Sequence, residues 1–338
     1  MTQQTVGARR TGLLAALPAL IFAVSAFAND PVAADKAPAS EVAMDATAVR
    51  ESVVATVRTL NEVYVYPETA RRVGAEVMRR LDAGKYDHIT TTQQFADDLG
   101  EDLSELTGDG HMSVMLAVPD EEPTHVLQEE VDRFRHNYAF QKIEILDGNI
   151  GYLKLNKFHQ DEEAQVVADH ALAFVSRTDA LIIDLSECKG GSPELVRHML
   201  SYFFTDQTLL WTILNRDGES TYDAFTTPGV GDARLKSDFP IFILTGPDTA
   251  SGAELFTYAL KSYGKATAVG QRTLGIAHFV GAVPIDERFV GRFSTYRNTN
   301  PVTKTDWEGE GIAPDVEASP ERQLDVAISL ATRASKTR

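Results

Sequence analysis

Apolar positions recur every three or four residues in the first third of the chain, which is the spacing of one face of an α-helix. Three such stripes follow one another, the second after Pro67. They consist of Val49, Val53, Val57 and Leu60, then Val73, Val77 and Leu81, then Phe95, Leu99, Leu103 and Leu106. Because each stripe needs a partner to cover it, the pattern predicts a small helical domain over residues 42–115.

Short apolar runs alternate with helical patterns from residue 148 onward. The run at 179–185 is apolar throughout, as in a parallel strand covered on both faces. Other strands are predicted at 148–158, 240–246 and 265–270, a hairpin at 208–227, β segments around 280–298, and helices at 161–177, 192–204, 251–264 and 320–334. The alternation predicts an α/β domain over residues 116–338, with helices flanking a mixed sheet.

The first 28 residues have the pattern of a cleaved export signal. Arg9 and Arg10 precede an apolar stretch that ends in Ala26-Phe27-Ala28, the small-x-small pattern of a signal peptidase site. The stretch is short for a membrane anchor. We therefore expect a signal peptide at residues 1–28, a flexible leader at 29–41, and export to the periplasm or the outside of the cell.

Charge and cysteine content exclude several classes of function. The 338 residues carry a formal net charge of −17 without a basic run, so we expect no nucleic-acid partner. Cys188 is the single cysteine, which excludes an intrachain disulfide framework and a multi-cysteine metal site. No segment after the signal is apolar enough to predict stable insertion into a membrane.

Ser251 stands where a predicted strand runs into a predicted helix. Free backbone N–H groups and the positive end of the helix dipole favour an anion there. A serine in this place ordinarily caps the helix, and the position alone does not distinguish a cap from a nucleophile. A second strand–loop–helix unit carries Gly190 and Gly191, and the two loops share one crevice if their strands are neighbours.

A nucleophilic serine needs a base and an orienting acid from elsewhere in the chain. His111 follows Asp109-Gly110 at the end of the helical domain, and His278 lies in the segment TLGIAHFV. Glu308 lies beside Trp307 in a glycine-rich loop. Each is, taken alone, an ordinary loop residue, and the residues leave open which histidine would act as the base.

Five motifs in a fixed order give the chain a resemblance to a known family. They are DGH at 109–111, GYLKL at 151–155, LIIDL followed by GG at 181–191, TASGAE at 249–254, and the late segments WEG, GI and PDV. This succession resembles the tail-specific and C-terminal-processing serine proteases, and within them the branch of interphotoreceptor retinoid-binding protein and the tricorn protease core. The resemblance covers nearly all of the chain after the leader and implies a crotonase/ClpP-like α/β fold.

The resemblance implies a serine peptidase that hydrolyses peptide bonds through an acyl-enzyme. Matched residue by residue, the motifs make Ser251 the nucleophile, His111 the base and Glu308 the orienting acid. His278 remains as an alternative base or a substrate-site residue.

The same matching assigns the oxyanion donors to backbone N–H groups, those of Gly252 and of Gly191 or Gly190. No metal and no cofactor is implied. The motif also predicts that Gly191→Val strongly lowers turnover without unfolding the protein, because a branched side chain blocks the approach of the backbone to a substrate carbonyl.

The chain departs from the family pattern in three places. Ile276 stands where tail-specific members have a catalytic lysine, so a serine–lysine dyad is excluded. Gly110 replaces a serine that supports the glutamate in tricorn-like members, and DLSECKGG replaces the usual DLRxNxGG. The segment 117–147 is too short for the PDZ domain of tail-specific members, so we expect the cleft itself to select a peptide or unfolded protein substrate.

Two other interpretations stay open beside the peptidase. Relatives that bind retinoids suggest a binding protein for a hydrophobic small molecule, and the departures from the family pattern suggest a catalytically inactive member of the fold. A serine, a histidine and a glutamate together at motif positions favour the enzyme, since a binding protein has no use for all three.

Overall fold

The computed structural model describes residues 42–117, 133, 135–231, 235 and 238–336. The predicted signal peptide and leader lie outside these residues. Three helices open the described chain, one for each predicted stripe: α1 (Ala46–Val63), α2 (Pro67–Asp82) and α3 (Thr92–Thr107). Asp45 and Thr91 cap α1 and α3 by accepting N–H hydrogen bonds, and a proline opens α2.

The rest of the described chain alternates strands and helices. The strands are β1 (Ser113–Leu116), β2 (Phe140–Leu146), β3 (Ile150–Leu155), β4 (Ala180–Asp184), β5 (Leu209–Leu214), β6 (Ser220–Phe225), β7 (Ile241–Thr245), β8 (Ala266–Gly270), β9 (Phe279–Pro284), β10 (Phe289–Thr299) and β11 (Val316–Glu317). The helices are α4 (Glu162–Val175), α5 (Pro193–Leu200), α6 (Gly252–Ser262) and α7 (Gln323–Lys336), with short 3-10 turns at Asn137–Ala139 and Ser201–Phe203. None of the described helices combines the length and the apolar character that crossing a bilayer requires.

Six strands form the main sheet, in the order β11-β8-β7-β4-β3-β2. All neighbours are parallel except β2 and β3. Side chains of β4 alternate between two cores: Leu181 and Ile183 pack toward α4, α5 and α6, and Ile182 packs toward α7. The architecture is therefore the predicted one, a helical segment followed by a mixed sheet with helices on both faces.

A second sheet of five strands has the order β1-β10-β5-β6, with β9 also paired to β10. Sequence patterns did not predict β1, β2 or this separate sheet. Phe289 and Phe293 of β10 lie in the same core as the helices α1 to α3, and the rings of Phe95 and Phe289 are 4.4 Å apart. Since β1 follows the helices directly and pairs with β10, the division into domains at residue 115 stays a prediction.

The topology brings the two predicted loops together. β4 and β7 are parallel neighbours, with Asp184 opposite Leu244 at their carboxyl ends. The glycine loop after β4 and the Ser251 turn after β7 therefore leave the sheet side by side, as expected of a ligand-binding crevice in an open α/β sheet. The short segment between Leu116 and Phe140 leaves no room for a PDZ domain.

Candidate active site

Ser251 lies in a strained turn between β7 and α6. Its backbone angles are φ +49° and ψ −113°, a conformation that a residue with a Cβ rarely adopts. The Ser251 N–H donates to the carboxylate of Glu254 at 2.9 Å, and the Ser251 carbonyl accepts the first hydrogen bond of the helix, from Leu255. Strain of this kind persists where surrounding contacts hold it and is common at catalytic sites.

The glycine loop lies directly against this turn. A Cβ on Gly190 would come within 2.6 Å of the Gly252 nitrogen and 2.9 Å of the Ser251 Cβ. A Cβ on Gly252 would come within 3.0 Å of the Gly191 nitrogen. These short distances between the two main chains, together with φ values of +89° at Gly190 and +131° at Gly191, require glycine at both loop positions.

Two N–H groups beside Ser251 are free to bind a ligand. Within residues 42–117, 133, 135–231, 235 and 238–336, neither the Gly191 N–H nor the Gly252 N–H has a hydrogen-bond acceptor. The Gly190 N–H, in contrast, is directed to the sulfur of Cys188. Of the two glycines that the sequence left open as oxyanion donors, Gly191 thus has the available N–H.

Gly191 also has a structural role that the sequence did not reveal. A Cβ at this position would lie 2.1 Å from the carbonyl oxygen of Phe158, which accepts a hydrogen bond from Ser192. The expectation that Gly191→Val spares the fold is therefore wrong, because the substituted side chain meets main-chain atoms of Phe158, which would have to shift.

Cys188, which lies in the same loop, is unsuited to act as a nucleophile. Its side chain is fully buried, and burial raises the pKa of the thiol to about 12. The thiolate form needed for reactivity is therefore scarce at neutral pH.

Asp109 and His278 form the centre of a buried polar cluster beside this turn. His278 Nδ1 lies 2.9 Å from Asp109 Oδ2, which also accepts a hydrogen bond from the Tyr64 hydroxyl at 3.2 Å. His278 Nε2 lies 3.2 Å from the Tyr66 hydroxyl. Burial alone would raise the pKa of the Asp109 carboxyl, but the hydrogen bond and the charge of His278 lower that pKa to about 2. The carboxylate is therefore ionised, and Nδ1 of His278 carries the proton.

His111 lies on the other side of Asp109. The residue is 3% exposed, and neither ring nitrogen has a hydrogen-bond partner in the described chain. Nδ1 is 3.7 Å from Asp109 Oδ1, and the His111 N–H donates to the same oxygen at 3.0 Å. Burial lowers the pKa of His111 to about 4, so the imidazole is neutral at pH 7.

Glu308 contacts His278. Its Oε2 lies 3.5 Å from His278 Nδ1 and accepts hydrogen bonds from the main-chain N–H groups of Ala277 and His278. Its Oε1 is buried and, among the described residues, has no partner. Burial raises the pKa of Glu308 to about 7.

The segment before His278 connects the cluster to the Ser251 turn. The Ile276 N–H donates to Glu254 at 3.0 Å, and the Leu274 N–H donates to the carbonyl of Thr249 at 3.0 Å. A Cβ on Gly110 would lie 2.9 Å from Cγ2 of Ile276. Both histidines therefore lie near the turn, although neither ring is hydrogen-bonded to the Ser251 hydroxyl in the described structure.

The part of Asp109 in this arrangement is not evident from the sequence. Asp109 lies next to both candidate histidines, whereas Glu308, predicted to orient His111, lies against His278. The only sequence signal for Asp109 is its place two residues before His111 in the DGH motif. Asp109, His278 and Glu308 also offer ligand atoms within 4.8 Å of one another, but these atoms already have hydrogen-bond or ionic partners.

Two family models match the sequence. The model of peptidase family S41 matches residues 149–318, and the model of the N-terminal domain of peptidase S41 in eukaryotic IRBP matches residues 37–144. A carboxyl-terminal-processing protease of Synechocystis sp. is 30% identical over 129 residues, which are 38% of this chain and 28% of that protein. The chloroplastic carboxyl-terminal-processing peptidase 2 of Arabidopsis thaliana is 25% identical over 217 residues, 62% of this chain and 41% of that protein.

Solved structures show the same fold. A putative peptidase from Parabacteroides merdae has a TM-score of 0.57 and 20% identity, covering 84% of this chain and 96% of that one. The photosystem II D1 C-terminal processing protease has a TM-score of 0.52 and 15% identity, covering 84% of this chain and 96% of that one. The predicted fold is thereby confirmed. The chain spans less than half the length of the curated relatives named above. One family model matches the helical part of the chain, and the other matches half of its length. The chain therefore belongs to peptidase family S41, a family of serine peptidases.

Proposed function

We propose that the protein hydrolyses peptide bonds in peptides or unfolded protein chains through an acyl-enzyme on Ser251. The observation that carries the proposal is the strained Ser251 turn beside two N–H groups without acceptors. A serine in such a turn is exposed to an incoming carbonyl, as in the strained nucleophile turns of other hydrolases. A serine that served only as a helix cap would not need that strain.

The N–H groups of Gly191 and Gly252 would bind the oxyanion of the tetrahedral intermediate. Each donor of this kind contributes about 3–4 kcal/mol to lowering the barrier, because it is in place before negative charge develops. The Gly190 N–H has the Cys188 sulfur as its acceptor, so its part is to let the loop approach Ser251 closely.

His111 is the base in this proposal. A base needs an unprotonated nitrogen that is free to accept, and the His111 imidazole is neutral and has no hydrogen-bond partner in the described chain. Both ring nitrogens of His278 are engaged, by Asp109 and by Tyr66. The 3.7 Å separation between His111 and Asp109 is long, and catalytic hydrogen bonds of this kind shorten when substrate binds.

Glu308, the predicted orienting acid, would then act on the base through the cluster. It holds the main chain at Ala277 and His278, and His278 in turn holds Asp109. The carboxylate directly beside the base would be that of Asp109, which stabilises the imidazolium formed when Ser251 gives up its proton.

The site of action follows from the proposed signal. Cleavage after Ala28 would release a periplasmic or secreted peptidase that begins at Asn29. The relatives are named for carboxyl-terminal processing, and we extend to this chain a preference for accessible chain ends. N-terminal sequencing of the protein recovered from its producing cells tests export, and a protein that starts at Met1 contradicts it.

Hydrolysis of denatured casein by the purified protein tests the activity. We expect cleavage by the wild type and by Ser220→Ala, a control at an exposed serine in β6, and none by Ser251→Ala. Cleavage that survives in Ser251→Ala would contradict the proposal, and so would a wild type that cleaves nothing.

A further inference from the structure

Glu254 accepts more hydrogen bonds than a helix cap requires. It lies in the first turn of α6 and is 0% exposed. Its carboxylate accepts the N–H of Ser251 at 2.9 Å, the Thr273 hydroxyl at 2.5 Å, and the N–H groups of Gly275 at 2.7 Å and Ile276 at 3.0 Å. A capping-box glutamate needs only the first of these bonds, since its task is to satisfy the N-cap N–H.

The four partners are all donors. Three are main-chain N–H groups, and the Thr273 hydroxyl already accepts the N–H of Ile312 at 2.7 Å, so its proton is left for Glu254. Together they occupy the acceptor sites of an ionised carboxylate and leave no place for a proton. Burial raises the pKa of Glu254 above its ordinary value, and the hydrogen bonds from these donors oppose part of that rise.

The bonds join two segments that are distant in sequence. One is the strained turn at Ser251, and the other is the segment 273–276, which lies 19 to 22 residues after Glu254. That segment continues directly into Ala277 and His278, whose N–H groups bind Glu308. One buried carboxylate therefore fixes the backbone on both sides of the site.

We propose that Glu254 is a positioning residue, which holds the Ser251 backbone in the strained conformation that presents the nucleophile and aligns it with the segment leading to His278. Its catalytic part rests on the proposed function, and its mechanical part does not. Glu254 is buried behind the turn and acts through Ser251, without contact with substrate.

Glu254→Gln tests the catalytic part. The amide keeps the size of the side chain but places an NH₂ donor against at least one N–H or O–H donor, so the turn loses part of its support. We expect the rate of Ser251 labelling by a fluorophosphonate, and kcat for a peptide, to fall about 100-fold, the effect of displacing a reacting group by about 1 Å. KM should change less than about threefold, since substrate contacts remain.

Glu194→Gln is the matched control, because Glu194 lies in the first turn of the neighbouring helix α5 and is exposed. Its labelling rate should equal that of the wild type. Labelling of Glu254→Gln at the wild-type rate would overturn the proposal. If Glu254→Gln does not fold, Thr273→Val replaces it, since this change removes one of the four donors. An unchanged labelling rate in Thr273→Val would then overturn the proposal.

A double-mutant cycle in urea tests the mechanical part without catalysis. Glycine adopts φ +49° without strain, so Ser251→Gly should raise the urea midpoint of the wild type. The gain should be smaller in Glu254→Gln, where Ser251 has already relaxed. Equal gains in both backgrounds would overturn the proposal. A wild type that is not labelled at Ser251 would refute the proposed function but leave this coupling measurable.

Discussion

The Ser251 turn and the histidine cluster are the two halves of the proposed site, and they differ in which of their polar groups lack a partner. At the turn, the buried carboxylate of Glu254 uses every acceptor position, and the groups without a partner among the described residues are the N–H donors of Gly191 and Gly252. In the cluster, both ring nitrogens of His111 and one oxygen of Glu308 have no hydrogen-bond partner within the described residues. Unpaired buried groups are costly, and under the proposed function the donors at the turn are completed by the substrate carbonyl and the cluster by a rearrangement on binding.

The difference follows from how each half is built. The turn is formed by adjacent strand–loop–helix units of one sheet, and its hydrogen bonds fix it before any substrate arrives. The cluster is assembled from the loop after α1, the DGH motif, the segment around His278 and the late glycine-rich loop. Under the proposed function, this difference corresponds to a preorganised nucleophile and a base whose contacts are completed on substrate binding.

The largest expected effect separates the two histidines. His111→Gln should lower kcat about 10²–10⁴-fold, the contribution of a general base, and combining it with Ser251→Ala should cost little more. His278→Gln should cost about tenfold or less, as it disturbs Asp109 without removing the base. Steady-state kinetics on a peptide decides this. An active His111→Gln enzyme beside an inactive His278→Gln enzyme would exchange the two roles.

The close packing of the glycine loop beside the Ser251 turn predicts the next largest effect, a loss of stability. Gly191→Ala should lower the free energy of unfolding by about 3 kcal/mol or more, because its Cβ meets the Phe158 carbonyl at 2.1 Å. Gly309→Ala is the matched control: Gly309 also has a positive φ, +72°, but nothing lies within 4 Å of its Cβ. It should cost about 1 kcal/mol from strain alone. Equal urea midpoints for the two variants would contradict the close approach of the glycine loop.

The unpaired ring of His111 predicts a pH dependence of stability. Its pKa is about 4 in the folded protein against an ordinary value of 6.5, so the unfolded chain binds more protons between these values and acid favours unfolding. Glu308, with its pKa raised to about 7 from 4.5, has the opposite effect over its own range. Between about pH 7 and about pH 5, the wild type should therefore lose about 2 kcal/mol more than His111→Gln.

Urea unfolding of both proteins at the two pH values gives this difference directly. Because Glu308 is present in both, its contribution cancels to first order. Parallel pH profiles would show that His111 is not buried in its neutral form.

The smallest effect concerns the contact between the two halves. Gly110→Ala should cost about 1 kcal/mol, since its Cβ would lie 2.9 Å from Cγ2 of Ile276. The cost should vanish in the Ile276→Ala background, where that methyl group is gone. A double-mutant cycle by urea unfolding measures the coupling, and additive costs would mean that Gly110 and Ile276 are not in contact.

Sequence patterns predicted the backbone elements around Ser251 well because their determinants are local. The strand before Ser251, the helix after it and the glycine pair after a fully apolar strand are each contained in a short window. Their adjacency required only that β4 and β7 be neighbours, which the structure bears out. The collision at Gly191 was not visible, since it involves the main chain of Phe158, outside that window.

The contacts within the histidine cluster could not be predicted from the sequence in the same detail. The bond between Asp109 and His278 joins residues 169 positions apart, and no periodic pattern signals it. The strand β1 was missed because it has four residues, and β2 because its edge position leaves much of it exposed and weakens its apolar pattern. The roles of His111, His278 and Glu308 therefore stay proposals drawn from the motif order and from the contacts described above.

Labelling with a fluorophosphonate followed by peptide mapping tests the central claim, that Ser251 is an activated nucleophile. The account predicts a single phosphonylated peptide that contains Ser251, formed fast in the wild type, slowly in His111→Gln and not at all in Ser251→Ala. A wild type that takes up no probe, or an adduct that persists in Ser251→Ala, would contradict it.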